Sequence, residues 1–171
     1  ALWLAVNHVI LNEFHVARQV PYFMDYLKRY TDGPFLVELV PQDRGYKPGR
    51  LLRANRLARY QKMENGDWKT LVFDGRSGQP RMPKGTLGFR WGEEGKWNLL
   101  AKNAANQQEI LAELTCINSK DAVVSVGFPH FTQGEDDLLF RNVPVRKLKL
   151  PNGEEALVAS VFDMQVAQYG I

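Results

Sequence analysis

A chain of 171 residues, 44% hydrophobic and 24% charged, has the proportions of about one soluble globular domain. No apolar run approaches the roughly 20 residues that span a bilayer, which excludes a transmembrane helix within this sequence. The single cysteine, Cys116, excludes an internal disulfide and a four-cysteine metal site, and a net charge of +3 is too small to indicate nucleic-acid binding by itself.

Both ends of the sequence lie inside helical patterns. Ala1–Val6 is apolar and helical from its first residue, with no capping side chain before it. At the other end Asp163 is predicted as the N-cap of a helix that reaches Ile171 after about two turns, whereas most helices are longer. We therefore expect an excised, internal portion of a longer polypeptide.

The first predicted helix runs from Ala1 to about His15 and is expected to pack through one apolar face. The residues of that face are Leu2, Val6, Val9, Ile10 and Phe14. His8 and His15 lie on a common side, but they are separated by about 10 Å along the axis, too far for easy ligation of one metal ion. We therefore predict no metal site there.

A second helix is predicted to begin at Pro21, a residue favoured in the first helical turn, and to end before Asp32–Pro34. Tyr22, Tyr26 and Tyr30 recur on one of its faces. These rings could stack on a ligand or pack against the rest of the chain, and packing is the favoured interpretation.

Four arginines recur at every third residue and form what we call the arginine segment: Arg50, Arg53, Arg56 and Arg59. If this stretch were an α-helix, each three-residue step would drift by about 60° and would spread the guanidinium groups over a broad arc. Such an arc could bind nucleic acid or an acidic protein, could dock against neighbouring parts of a parent protein, or could be a solvated face. The solvated face is the favoured interpretation.

The remaining pattern alternates strands with turns and indicates an α+β fold with short helices and mostly antiparallel hairpins. A central hairpin is predicted over Gly88–Leu100, where glycines flank two glutamates and Trp91 and Trp97 are expected to anchor a core. The other predicted elements are strands at Phe35–Val40, Trp68–Phe73 and Ala122–Phe128, a short helix at Gln107–Leu114 with Ile110, Leu111 and Leu114 inward, and a hairpin of Val143–Leu150 and Ala156–Phe162 joined through Asn152 and Gly153.

No known catalytic motif is present. The sequence lacks a nucleophile elbow and a phosphate-binding glycine loop, and Cys116 has no motif context that marks a nucleophile. The acidic stretch Gly134–Asp137 lacks the ligand spacing of a calcium loop. We therefore assign no catalytic, cofactor-binding or metal-binding residue.

Gly88–Asn98, with the sequence Gly-Phe-Arg-Trp-Gly-Glu-Glu-Gly-Lys-Trp-Asn, resembles a stretch of the alpha subunits of membrane-bound respiratory nitrate reductases. These enzymes belong to the dimethyl sulfoxide reductase family of molybdopterin oxidoreductases. Tyr30–Val37 resembles a run shared more widely in that family, and three further blocks resemble the nitrate reductase branch: Gly49–Ala54, Val126–Pro129 and Ala156–Gly170. Ala101–Gln108 and Thr132–Asp137 depart from the family pattern.

The resemblance implies a structural portion of a catalytic subunit that reduces nitrate to nitrite with electrons from quinol, and it implies that this portion alone is inactive. The implied cofactors of the parent are a molybdenum bis(molybdopterin guanine dinucleotide) and a 4Fe-4S cluster, with ligands outside this segment. The implied partners are the rest of the alpha subunit, an iron-sulfur beta subunit and a heme-bearing gamma subunit at the cytoplasmic face of the bacterial inner membrane; no nucleic acid is expected. Residues 1–40 and 161–171 would belong to a cofactor-binding domain of the parent, and 46–157 would be an α+β elaboration inserted into it.

Overall fold

A computed structural model of the chain describes residues 2–84, 100–103, 106, 108–118, 121–129 and 138–171. The helices of these residues are α1 (Leu2–Leu11), a π-helix (Asn12–Ala17), α2 (Pro21–Tyr30), two 3-10 helices (Ala54–Arg56 and Ala58–Tyr60) and α3 (Val161–Gln168). The strands are β1 (Leu36–Pro41), β2 (Tyr46–Leu51), β3 (Val72–Asp74), β4 (Gln79–Arg81), β5 (Pro83–Lys84), β6 (Leu100–Asn103), β7 (Ala122–Pro129), β8 (Leu138–Lys149) and β9 (Glu155–Ser160).

Five of these strands close into a barrel in the order β1-β2-β7-β8-β9. Every pairing in the barrel is antiparallel except the contact between β2 and β7, where Tyr46 pairs with Val126. The turn before β2 lies close to β7, because a Cβ on Gly45 would come within 2.4 Å of the Ser125 carbonyl oxygen. The predicted α+β fold with mostly antiparallel pairing is therefore confirmed.

The predicted hairpin near the end of the chain is confirmed as β8 and β9. Its turn contains Gly153 at φ +86°, a left-handed conformation that glycine adopts without steric cost. β9 continues directly into α3, and Met164 and Ala167 of α3 belong to the same buried core cluster as the barrel residues Val126 and Val143. The last helix therefore covers part of the barrel core.

The N-cap of α3 is Ser160, three residues earlier than predicted. The backbone N–H of Asp163 donates to the Ser160 hydroxyl oxygen at 2.9 Å, which places Asp163 in the first turn of the helix and leaves it 5% exposed. The N-cap prediction at Asp163 is wrong because a serine three residues upstream caps the helix and turns the aspartate inward.

The predicted helix over Gln107–Leu114 is also wrong for its described residues, 108–114, since residues 111–113 run extended and antiparallel to β3, and 116–118 form a bend and a turn. The N–H of Gly75 donates to Leu111 O at 2.8 Å, and the N–H of Glu113 donates to Phe73 O at 2.9 Å. Ile110 and Leu114 point inward as expected, but Leu111 is 53% exposed. The alternation of buried and exposed residues follows the two-residue period of a strand, because the backbone of this stretch bonds to a neighbouring strand. We call residues 108–118 the strap.

Two helices precede the barrel, and both begin broadly where the sequence predicts. The helix expected to reach His15 changes to π-helical geometry at Asn12, and Pro21 opens α2. Their outward faces differ from expectation, because Tyr22, Tyr26 and Tyr30 of α2 are 78%, 49% and 43% exposed. The tyrosines therefore do not pack into the described core, and the rings of Tyr26 and Tyr30 instead lie 5.0 Å apart.

Of the three remaining predicted strands, two are confirmed and one is confirmed only in part. Phe35–Val40 and Ala122–Phe128 are confirmed as β1 and β7, while Trp68–Phe73 is a strand only at its end, in β3. The central hairpin, except Leu100, and the acidic stretch Gly134–Asp137 lie outside the described residues.

Candidate functional site

The arginine segment does not form an α-helix. It begins in β2 and continues through two single-turn 3-10 helices separated by Leu57, whose backbone is extended at φ −107° and ψ 136°. Ala54, Leu57 and Tyr60 are buried, and their three-residue spacing matches the three residues per turn of a 3-10 helix. The predicted helical arc is therefore wrong, because the apolar residues of this stretch repeat with period three and not 3.6.

Three of the four arginines bind groups within the chain. Arg53 donates to the carbonyl oxygen of Trp68 at 2.7 Å. Arg56 forms a two-bond ion pair with Glu38 of β1, with N···O distances of 3.0 and 3.3 Å. Arg59 donates to the Gln79 side chain at 3.3 Å. These guanidinium groups therefore hold the 3-10 turns against β1, β4 and the turn before β3, and they are not arrayed for an external ligand.

A cleft of about 590 Å³ beside the arginine segment is lined by four basic side chains, Arg59, Arg146, Lys147 and Lys149, together with Asp121. Arg146 is engaged by Glu113, Lys147 lies 3.8 Å from Glu155, and Arg59 bonds to Gln79. Arg146 and Lys147 are therefore paired with carboxylates, whereas Gln79 is neutral and does not offset the charge of Arg59.

A buried polar cluster joins α3 to the strap. The Asp163 carboxylate accepts a hydrogen bond from the Thr115 hydroxyl and another from the backbone N–H of Cys116, the latter at 2.7 Å. Burial raises the pKa of Asp163 above its ordinary value, and the hydrogen bonds limit that rise. The carboxylate therefore satisfies strap donors that would otherwise be buried without partners.

Two other titratable groups lie close to this carboxylate. Burial, with a further contribution from the Asp163 charge, raises the pKa of the Cys116 thiol, so this cysteine is not activated as a thiolate. Burial lowers the pKa of His15 while Asp163 opposes that shift, and the His15 ring packs edge-on against Phe162 at 4.8 Å. The cluster therefore has the properties of a structural core, and no activated nucleophile is found in it.

A second buried carboxylate, Asp74, anchors the other end of the strap. It accepts hydrogen bonds from the Leu111 N–H at 3.0 Å, from the Ser77 hydroxyl at 2.7 Å and from the Arg76 N–H at 3.3 Å. Burial pushes the pKa of Asp74 upward, but these bonds outweigh burial and the pKa lies below its ordinary value. Asp74 is thus held as an anion between β3 and the strap.

The middle of the strap is fixed by an ion pair. Glu113 and Arg146 of β8 approach to 2.5 Å, and their side chains are only 28% and 12% exposed. The Arg146 guanidinium also lies 4.3 Å from the centre of the Phe73 ring. Three acidic side chains, Asp163, Glu113 and Asp74, therefore attach the strap to α3, to β8 of the barrel and to β3, respectively.

The chain is similar in sequence to bacterial nitrate reductase alpha chains. The chain is 41% identical along its whole length to the respiratory nitrate reductase 1 alpha chain of Escherichia coli. It is 37% identical to the nitrate reductase alpha chain of Bacillus subtilis and 35% identical to the nitrate reductase alpha subunit of Mycobacterium tuberculosis, again over its full length. The whole chain corresponds to one segment of a nitrate reductase alpha chain. It spans about 14% of the length of each of these relatives.

The resemblance predicted from Gly88–Asn98 and the four further blocks is thereby confirmed. No protein-family model matches the sequence. The alpha-chain segment has no described helix that is both long and apolar enough to cross a bilayer.

The residues described for this alpha-chain segment do not fit a metal centre. No group of three or more histidine, cysteine, aspartate or glutamate side chains is gathered in them. His8 Nδ1 lies 2.9 Å from the carbonyl oxygen of Tyr169, and the backbone N–H of the buried Cys116 donates to Asp163. Neither a molybdenum centre nor an iron-sulfur cluster can be assigned to these side chains.

Sequence reasoning missed both carboxylates that anchor the strap. Asp163 carried a usable signal, because a serine three residues before an aspartate at a helix start is a common capping arrangement. Asp74 carried only the pattern of a turn, Asp-Gly-Arg-Ser-Gly, and its bond to Leu111 joins residues 37 positions apart. Local spacing could therefore place Asp163 in the first turn of α3, but it could not predict the bonds of Asp163 to Thr115 and Cys116, which are 48 and 47 positions away.

Proposed function

We propose that this chain is a structural portion of the catalytic alpha subunit of a respiratory nitrate reductase, an enzyme that reduces nitrate to nitrite with electrons from quinol. The observation that carries the proposal is the similarity of the whole of this chain, at 35% to 41% identity, to segments of nitrate reductase alpha chains from three bacteria. We further propose that the segment supplies no catalytic group.

The use of the buried carboxylates supports a structural role. Asp74 and Asp163 accept hydrogen bonds from backbone N–H groups and hydroxyls of the same chain, and Glu113 is paired with Arg146. A general acid or base needs a proton-exchanging oxygen that is within reach of a substrate. These oxygens are committed to holding the strap, so we assign them to the architecture of the subunit.

The cofactors and partners of the proposed parent follow from the resemblance. We propose that a molybdenum bis(molybdopterin guanine dinucleotide) and a 4Fe-4S cluster are held by other parts of the alpha subunit. The proposed partners are the remaining alpha-subunit domains, an iron-sulfur beta subunit and a heme-bearing gamma subunit. The proposed location is the cytoplasmic side of the bacterial inner membrane.

We also propose the division of the segment within its parent. Residues 1–40 and 161–171 are assigned to a cofactor-binding domain, and 46–157 to an α+β elaboration on it. The chain order supports this assignment, since α1, α2 and α3 fall in the outer parts and most strands fall between them. The barrel nevertheless crosses the proposed boundary, because β1 of the outer part pairs with β2 and β9.

The test is a nitrate reduction assay on two proteins. The intact alpha subunit that contains this sequence should oxidise a reduced viologen in the presence of nitrate, and the 171-residue chain alone should not. A matched control replaces the segment in the intact subunit with the corresponding segment of the Escherichia coli relative, which should retain activity. Nitrate reduction by the isolated chain, or none by an intact subunit loaded with its cofactors, would contradict the proposal.

A further inference from the structure

The first helix of this chain exposes apolar side chains and turns its polar side chains toward the rest of the chain. Its most exposed side chains are apolar, with Trp3 at 76%, Leu2 at 73% and Val9 at 57% exposure. The only buried residue of α1 is Leu11. A helix that is apolar around most of its circumference is normally buried on all sides, so a face of this kind needs a cover.

The polar residues of α1 lie on the side that faces the rest of the chain. Asn7 Nδ2 donates to the Tyr169 hydroxyl at 2.9 Å, and His8 Nδ1 lies 2.9 Å from the Tyr169 carbonyl oxygen. At about 100° per residue, Asn7 and His8 are on the same half of the helix as Leu11. The opposite half carries the apolar face, which consists of Leu2, Val6, Val9 and Ile10. Trp3 lies at the edge of this face, about 20° around the helix from Ile10 and about 40° from Asn7.

The face through which the first helix is expected to pack is partly exposed in the structure. Leu2, Val6, Val9 and Ile10 belong to the face through which the first helix is expected to pack, and in the structure Val9 and Ile10 are 57% and 36% exposed. The sequence pattern and the contacts within this chain therefore disagree. Both are satisfied if the packing surface of that face lies outside the residues that the structure describes.

We infer that the apolar face of α1 is an internal interface, covered by another part of the same nitrate reductase alpha chain. This inference rests on the proposed function. The chain spans about 14% of the length of its relatives, so most of an alpha chain is available as the cover. The expected cover is an apolar surface without charged groups, because the face itself contains no charged side chain.

A membrane surface is a poorer match for this face. Helices that lie in a bilayer interface carry lysine or arginine on their polar side, and α1 contains neither. Its ten residues are also about half the number needed to cross a bilayer. A second copy of the chain as the cover is tested by diluting the protein in the footprinting experiment.

Oxidative footprinting of the intact alpha subunit provides the first test, because Trp3 and Trp68 are 76% and 62% exposed and form a matched pair. Hydroxyl-radical labelling of Trp3, measured by mass spectrometry and normalised to the same subunit in denaturant, should fall at least about fivefold relative to that of Trp68. Equal labelling of the two tryptophans would overturn the inference. Protection of Trp3 that disappears on dilution, or on removal of lipid, would assign the face to a second copy or to a membrane and would also overturn it.

A pair of valine substitutions provides the second test. Val9→Asp places a charge on the apolar face, and Val123→Asp places the same charge on β7 at a side chain that is 66% exposed. In the intact subunit, Val9→Asp should lower the yield of soluble, folded protein several-fold and Val123→Asp should not. An unchanged yield for Val9→Asp, or equal losses for both variants, would overturn the inference. Two separate measurements test the proposed function. They are the mass of the polypeptide that contains Trp3 and nitrate reduction by the unsubstituted subunit.

Discussion

The carboxylate of Asp163 accepts a hydrogen bond from the backbone N–H of Cys116 at 2.7 Å, which fixes the strap to the first turn of α3. The same carboxylate accepts from the Thr115 hydroxyl. Because both partners are in the strap, removal of this one side chain takes the acceptor from the buried Cys116 N–H and from the part-buried Thr115 hydroxyl together. An unsatisfied buried donor costs about 1–3 kcal/mol.

Asp163→Asn should therefore destabilise the chain by about 1–3 kcal/mol, since an amide NH₂ group turned toward the strap faces donors instead of accepting from them. The measurement is the free energy of unfolding in urea at neutral pH. Asp25→Asn is the matched control, because Asp25 is an exposed aspartate of α2 and its substitution should change stability by less than about 0.5 kcal/mol. Equal effects of the two substitutions would remove Asp163 from its anchoring role.

The pH dependence of stability should separate the two buried aspartates. Burial raises the folded-state pKa of Asp163, so the folded chain binds this proton more tightly than the unfolded chain does. Its contribution to the free energy of unfolding should fall as pH rises from about 3.9, the ordinary aspartate value, through the raised folded-state pKa. The destabilisation caused by Asp163→Asn should accordingly be larger at the acid end of that interval than above it.

Asp74 should show the opposite sign. Its hydrogen bonds outweigh burial and lower its folded-state pKa, so its stabilisation is present above about pH 3.9 and is lost as pH falls through the folded-state value. Asp74→Asn should therefore destabilise the chain most at neutral pH and progressively less in acid. Urea titrations of both aspartate variants between pH 2.5 and 7, as a proposed range, provide the comparison; slopes of the same sign would contradict the assignment.

How much of the fold can be predicted from the sequence depends on how far apart along the chain the interacting residues lie. The hairpin of β8 and β9 is predicted because Asn152 and Gly153 specify its turn locally. The strap is mispredicted as a helix because its extended form depends on backbone bonds to Phe73 and Gly75, about 40 residues earlier in the chain. The face of α1 is predicted correctly as apolar, but the described residues leave Val9 and Ile10 of that face 57% and 36% exposed. Of the anchoring residues, only Asp163 lies in a pattern that local spacing could reveal.

The ion pair between Glu113 and Arg146 should contribute more than its exposed counterpart. Glu113→Gln leaves a guanidinium that is only 12% exposed without its counterion, and we expect a loss of roughly 2 kcal/mol, below the full cost for a completely buried pair. Glu109→Gln is the matched control: it breaks the Arg76–Glu109 pair, whose side chains are 60% and 68% exposed, and should cost less than about 0.5 kcal/mol. Equal changes in the urea midpoint for these variants would show that burial does not distinguish the pairs.

The arginine segment should not bind nucleic acid, because Arg53, Arg56 and Arg59 are engaged by Trp68, Glu38 and Gln79. A protein that neutralises phosphates loses affinity steeply with salt, by a slope of about −0.9 per phosphate contact for duplex DNA. Retention of the chain on duplex DNA should therefore be weak at low salt and should not change in the double variant Arg53→Glu, Arg56→Glu.

The same double variant should lower the free energy of unfolding, since Arg56→Glu sets a second carboxylate against Glu38. The control Arg50→Glu, on an exposed residue of β2, should not lower it. Strong retention at low salt that this double variant abolishes, with the fold intact by circular dichroism, would instead make the segment a nucleic-acid surface.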